Sequence, residues 1–330
     1  PDAVARDGLF FGYFSDGGAV GSKDMTEAFF EVGVPLLRGE KFAKELDLEL
    51  AARVTDDEIY GTNTTESVKV GWRPINSLLI RGTYGTAYRA PNLRELFLMA
   101  QTGFNTIFDP CFVPEEAIDV FTGAYDPTAD PRESYVLENC LATGMNPLTQ
   151  GFASYSVEQS TGGSLTLKPE TSDSWTAGFS WEQEMTNEFE LGLGVSYYEV
   201  DIDNTIIEPN GQYIVNDCYY TLTGQSAFCD RISRDDSLSI DLLDNGFLNR
   251  DNEKARGVDV NFTFSDDLSV GTNVYELTWD VRATRSIERS TLFTDDEGNV
   301  DYEDYAGEWG FPSWKGESTM VVEWEKWRLQ

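Results

Sequence analysis

Residues 77–97 read SLLIRGTYGTAYRAPNLRELF, and their spacing decides the fold. Leu78, Ile80, Tyr84 and Tyr88 share one parity; Ser77, Arg81, Thr83 and Gly85 share the other, with Leu79 the one apolar exception. A period of two predicts a strand with one apolar face and one wet face. About eleven residues, tilted at about 45°, suffice for such a strand to cross the hydrocarbon layer of a membrane. Ala90-Pro91 ends the run, because proline has no N–H to give a ladder. The chain passes directly into a loop.

The same alternation recurs along the chain. Ala28, Phe30, Val32 and Val34 oppose Glu27, Phe29, Glu31 and Gly33 up to Pro35, and Leu46, Leu48, Leu50, Ala52 and Val54 alternate with polar or small residues. Val68, Val70 and Trp72 form a third run before a turn at 73–76. Trp175, Ala177, Phe179 and Trp181 form the cleanest, followed by a turn at 184–187 and by Phe189, Leu191, Leu193, Val195 and Tyr197. Val258, Val260, Phe262 and Phe264, then Tyr275, Leu277, Trp279, Val281 and Ala283, then Met320, Val322 and Trp324 within 315–324, complete nine strands. Short turns alternate with long connections at 89–170, 201–253 and 287–312. The first carries seven prolines and a short helix expected over 92–100; residues 1–25 are glycine-rich, read as loop, and show no signal peptide. Short turns at one end and long loops at the other are the asymmetry of an outer-membrane barrel. A soluble β-sandwich alternates too, but its long connections would cross between sheets. Here they follow every second strand, the apolar faces carry aromatics near both strand ends, and the polar faces carry charge throughout. The fold class is therefore all-β, and these observations favour an antiparallel transmembrane β-barrel of about nine strands over the sandwich.

Composition alone would miss this. The 330 residues are 40% hydrophobic, close to a soluble protein, and no run of about 18 apolar residues is present; barrel strands hide their apolarity by alternation. With 24 basic and 58 acidic residues the net charge is −34, which excludes nucleic acid as a partner. The acid concentrates at 235–251 and 295–304, read as solvated loops, or alternatively as steering for a cationic ligand. Histidine is absent, removing His triads and His-ligated zinc. No nucleophile, base and orienting group assemble, and Asp201 and Asp203 read as solvated, so an enzyme is not expected. Asp295, Asp296, Glu297, Asn299 and Asp301 offer oxygens but depart from the EF-hand spacing, and no metal or cofactor is assigned. Four cysteines allow three pairings. Local closure favours Cys111 with Cys140 and Cys218 with Cys229, in loops of an oxidising compartment; neither pair has CxxC spacing.

Three phrases resemble one family. Arg89, Ala90, Pro91, Asn92, Leu93, Arg94, Glu95, Leu96 and Phe97 are similar to the R-A-P-x-x-x-E-L-F phrase at a strand end in TonB-dependent receptors of the Gram-negative outer membrane. LKPETSDSWTAGFSWE at 167–182, with Lys168, Pro169, Glu170 and Thr171, and ARGVDVNFTF at 255–264, with Arg256, Gly257, Val258 and Asp259, fit the same family in the same order. The resemblance runs from about residue 26 to 327 and implies that 1–330 is a middle-to-late part of a barrel of 22 strands, without the family's plug domain, energy-coupling box or final strands. The first and last strands are then expected not to ladder together. The resemblance also implies a receptor importing a scarce nutrient (siderophore, cobalamin or oligosaccharide class), lipid as a partner, and energy from the TonB complex engaged through the absent N-terminal region. The acidic loops weigh against an anionic ferric siderophore. A passive porin or surface adhesin, or a secreted β-sandwich binding module, are the alternatives. Loop aromatics Phe104, Phe108, Tyr125, Tyr135, Tyr155, Tyr219 and Tyr220 are candidates to stack on a ligand or to pack the loops. Leu78, Ile80, Trp175, Phe179, Trp181, Leu191, Leu193, Val260, Phe262, Leu277 and Trp279 are expected on the lipid side.

Overall fold

The computed structural model describes residues 18–185, 189–221, 226–294 and 300–330. The expectations placed on residues 1–17, on 186–187 of the 184–187 turn and on 295–299 lie outside it. Strands β1 (Met25–Glu40), β2 (Ala43–Asp57), β3 (Gly61–Ile75) and β4 (Leu78–Arg89) lead through helix α1 (Leu93–Phe97) to β5 (Gln101–Phe108), helix α2 (Ser134–Ala142) and β6 (Ser154–Thr161). Next come β7 (Glu170–Met185), β8 (Phe189–Ile207), helix α3 (Gly211–Tyr220), β9 (Ile232–Arg234), β10 (Ile240–Asp244), β11 (Leu248–Val270), β12 (Asn273–Thr294), β13 (Val300–Asp304), β14 (Trp314–Trp324) and β15 (Trp327–Leu329).

The expected nine strands form one antiparallel sheet in the order β1-β2-β3-β4-β7-β8-β11-β12-β14, with short β15 beside β14 and short β13 beside β12. Register puts like with like across it. Leu37, Leu46, Trp72, Ile80, Phe179, Val195, Val260, Ala283 and Gly316 make one continuous cross-strand row. One residue along, on the opposite face, runs Asp47, Gly71, Arg81, Gly178, Ser196, Asp259, Thr284 and Lys315, where Thr284 Oγ1 donates to Asp259 at 2.6 Å and Arg81 to Ser196 at 3.3 Å. A slip of one residue would exchange these faces, so the pattern fixes the register.

Aromatics bound the apolar face. Trp175 and Tyr197 lie 4.7 Å apart toward the long-loop end, and Tyr275 and Trp324 5.8 Å apart toward the other. Val258 opposes Tyr197 and Leu268 opposes Tyr275, ten residues apart on β11. At about 3.3 Å per residue and a tilt of about 40° this is roughly 25 Å, the height of the apolar band of an outer-membrane barrel. None of the eleven residues expected to face lipid is buried, and Ala43 is the one buried hydrophobic residue of the nine long strands among the described residues. The nine-strand sheet has no hydrophobic core of its own.

That core lies in the loops. β5, β6, β10 and β9 form a separate four-stranded sheet, antiparallel except where β6, from the first long connection, runs parallel to β10, from the second. Ile107, Phe112, Met145, Val157, Ile214 and Leu243 pack there with both disulfides, and Phe293 of β12 packs against them. The long connections thus fold together into one cap.

Several sequence expectations are corrected. The helix spans Leu93–Phe97 and not 92–100; Leu98 leaves helical geometry. Pro35 does not end the first strand: it lies within β1, at the sheet edge, where no ladder partner needs its N–H, and the register shifts between Pro35 and Leu37. The acidic stretch 235–251 contains β10 and the start of β11, and 287–312 contains the end of β12 and all of β13. Strands continue there because backbone pairing does not require apolar alternation once both faces meet water. As expected, β1 does not ladder with β14: they stand toward opposite sides of an open sheet, with short β15 outermost beyond β14.

Candidate functional site

Two of the three sequence phrases meet at the junction of sheet and cap, and the third lies on β11. Arg89, the last residue of β4, pairs in register with Glu170, the first of β7. Its Nη2 donates to Glu170 Oε1 at 2.8 Å, its Nε donates to Oε2, and its Nη1 lies 3.0 Å from both oxygens of Glu95. Glu95 also caps its own helix. Asn92 Oδ1 accepts from the N–H groups of Arg94 and Glu95 at 2.9 Å, and Glu95 Oε2 accepts from Asn92 N at 2.7 Å, a reciprocal capping box. Glu170 Oε1 accepts from Ile206 N at 2.7 Å, which ties β8 into the network. One guanidinium thus joins the ends of β4, α1 and β7.

The remaining motif residues have packing or bonding roles. Ala90 is half-buried and Pro91 fully buried, with its carbonyl accepting from Lys23 Nζ at 3.0 Å; Lys23 also pairs with buried Asp57 at 3.1 Å. Leu96 is buried, and half-buried Phe97 lies where a Cβ on Gly21 would come within 2.3 Å of its ring. Lys168 exchanges backbone bonds with the Asn249 amide at 2.8 and 3.0 Å, which sets the half-buried Pro169 and the exposed Thr171 at the start of β7. Arg256 pairs with Glu288 at 2.7 Å, Val258 is half-buried, and Asp259 accepts from Thr284. Gly257 sits at a register shift where any Cβ would lie 2.6 Å from Arg285 O and Tyr198 Oη.

Both expected disulfides are present: Cys111 with Cys140 (1.98 Å) and Cys218 with Cys229 (2.05 Å). Between them lies an ion pair that no local pattern announces. Asp109, wholly buried, receives Arg234 Nη1 at 2.6 Å and Nη2 at 3.0 Å, Tyr155 Oη at 3.0 Å and Cys111 N at 3.0 Å. Arg234 Nη2 also donates to Tyr219 Oη at 3.0 Å. Asn139 Nδ2 donates to the carbonyls of Tyr219 and Thr221 at 3.0 and 2.9 Å, again bridging the two connections. Near the first disulfide, Arg132 donates to Asp130 and to the carbonyls of Pro110, Phe112 and Pro147, and its guanidinium holds the Asp130 carboxyl down at about 2.

This geometry sorts the candidate aromatics. Tyr155 and Tyr219 are spent on the cap interior, and burial pushes the Tyr155 hydroxyl well above its ordinary value. Tyr125 donates to Asp130 at 2.9 Å, and Tyr135 is half-buried. Tyr220 is 40% exposed, and Phe104 and Phe108 are exposed as well.

Beneath the second disulfide the cap and the ends of β11 and β12 line a half-open cavity of about 900 Å³. Cys229, Asp230, Arg231 and Asp244 line its cap side, and Asn249, Asp251, Phe293 and Thr294 its strand side, with Lys168 beside them. Arg231 donates to the carbonyls of Asp244 and Gly246 at 3.0 and 2.9 Å; burial holds its pKa below the usual guanidinium value, opposed by Asp244.

The family model described as TonB dependent receptor-like, beta-barrel matches residues 9–328. Among solved structures the chain is similar to the ferric enterobactin receptor PfeA, at 15% identity and TM-score 0.47 over 92% of this chain and 31% of that one. It is also similar to the siderophore receptor PirA from Pseudomonas aeruginosa (12%, 0.45, 91% and 40%) and PirA from Acinetobacter baumannii (11%, 0.42, 92% and 40%). The chain spans between 31% and 40% of the length of these structures.

Proposed function

The chain belongs to the TonB-dependent receptor β-barrel family of the outer membrane, and from that premise we propose that it binds a scarce nutrient on its cap side and imports it with energy from the TonB system. The observation that carries this reading is the division of labour in the fold. Nine strands present an apolar face about 25 Å high to their surroundings, while two long connections at one end fold into a disulfide-stapled domain. On this reading the apolar face meets lipid and the cap faces the outside, where disulfides persist. The open edges, that of β1 and that of β14 beyond its short pairing with β15, are then completed by further strands of the same barrel, because an open edge in hydrocarbon costs several kcal/mol per unsatisfied group.

The test is uptake in a Gram-negative host limited in turn for iron, cobalamin and oligosaccharide. Deleting the gene and inactivating the TonB partner should each abolish accumulation of one labelled nutrient. Accumulation that persists without TonB and rises linearly with outside concentration would show a passive pore instead.

A further inference from the structure

We infer that the cavity beneath the Cys218–Cys229 bridge binds a zwitterionic, peptide-sized ligand, one that carries separated ammonium and carboxylate groups. The inference deepens the receptor reading and rests on it for its biological sense, but not for its chemistry.

The wall carries both signs. Lys168 is tied to the fold through its backbone alone by Asn249, leaving its ammonium exposed. Arg231 spends Nη1 on two carbonyls and approaches the carboxylate of Asp244 at 3.8 Å, an ion pair without a direct hydrogen bond. Against these stand the exposed carboxylates of Asp230 and Asp251, and that of Asp244, 58% exposed. A purely anionic ligand meets three carboxylates in a protein of net charge −34, and a purely cationic one meets Lys168 and Arg231. An apolar ligand would strip water from all of these charges without replacing it. A ligand with both signs satisfies each of them, and Phe293 gives its apolar part a surface. The volume, about 900 Å³, lies at the upper end for small-molecule sites and suits a short peptide.

The experiment uses outer-membrane vesicles carrying the protein, with vesicles lacking it as the blank and no energy source. The probes are a synthetic tetrapeptide pool with free termini and Lys and Glu at the middle positions, the same pool capped and with Gln at both positions, and maltotetraose. The charged pool should bind about tenfold more tightly than the neutral one, since each charge-assisted contact is worth that order. Lys168→Met and Asp251→Asn, both on exposed side chains outside the cap interior, should each weaken charged-pool binding about fivefold or more and leave neutral-pool binding unchanged. Absence of binding, equal binding of the neutral pool, tighter binding of maltotetraose, or indifference to both substitutions would overturn the assignment. Because nothing is transported in this assay, its failure leaves the import reading to the TonB experiment.

Discussion

Replacing Asp109 with Ala should loosen the cap without touching the nine-strand sheet. The carboxylate is wholly buried and accepts four hydrogen bonds, two of them from Arg234, whose side chain is 12% exposed. Removing it leaves a guanidinium shielded from water with no carboxylate, only Tyr219 Oη and the Leu238 carbonyl, and a Tyr155 hydroxyl without its acceptor. Breaking one side of a buried pair costs about 3–5 kcal/mol, so the midpoint, about 4, corresponds to roughly a thousandfold in the opening equilibrium. Hydrogen exchange of the Val157 and Leu243 amides, on β6 and β10, the two strands lying between β5, which Asp109 follows, and β9, which Arg234 ends, reads that factor. Asp109→Asn keeps one acceptor oxygen, enough for Cys111 N or for Tyr155 but not for both, and should fall between. The double variant Asp109→Ala with Arg234→Met should recover part of the loss, because no charge is then left buried. If Asp109→Ala changes exchange by less than about threefold, the pair does not hold the two connections together.

Further outcomes follow from other sites. Gly257→Ala should cost about 1–3 kcal/mol, from forced overlap with Arg285 O and Tyr198, while Gly33→Ala, with nothing within 4 Å, should be nearly neutral in the same urea titration. Removing the Cys111–Cys140 bridge (separation 29) should destabilise the cap by about 3.6 kcal/mol and the Cys218–Cys229 bridge (separation 11) by about 2.8, measured by exchange after Cys→Ser pairs; the reverse order would contradict the loop-entropy account. Asp130, held at about 2 by Arg132, has a folded pKa below its unfolded one. Its stabilisation, of order 2 kcal/mol, is complete above about pH 4 and lost as pH falls through about 2; Asp130→Asn should flatten cap protection across that window. Leu193→Arg, mid-height on the apolar face, should cost about 2–4 kcal/mol of barrel stability in lipid refolding, and no cost would place that face away from lipid.

The sheet was legible wherever one face meets an apolar medium and the other water, as from Leu78 to Tyr88 or Trp175 to Trp181. The same strands became unreadable beyond that boundary. β11 runs on through Asn249, Arg250, Asp251, Asn252, Glu253 and Lys254, polar on both faces, so no alternation marks its first turns of pleat. The cap was missed for a different reason: its prolines suggested structureless loop, although Tyr155, Val157 and Gln159 alternate with Ser156 and Glu158 in β6, and Val136, Asn139 and Cys140 share a helical face in α2. Asp109 and Arg234 are 125 residues apart and no local signal joins them. The cysteines were readable because short closure is the cheaper pairing. The aromatics were not, since burial of Tyr219 depends on the fold of both connections.

The motif at Arg89 shows how its residue types depend on one another. A strand leaving the apolar band must stop, so proline stands where a ladder N–H would otherwise be exposed. The turn must begin a helix within two residues, so Asn92 caps it and Glu95 returns the bond. Glu95 then sits beside Arg89, and the opposite strand begins with Glu170, giving the guanidinium carboxylates on two sides. An Arg fork can engage two carboxylates in plane, which a lysine ammonium cannot do. The junction therefore fixes where the membrane strand ends and the direction in which the cap begins. A lysine at 89 would keep the charge and lose that direction, loosening α1 against β7 while leaving the register of β4 and β7 in place.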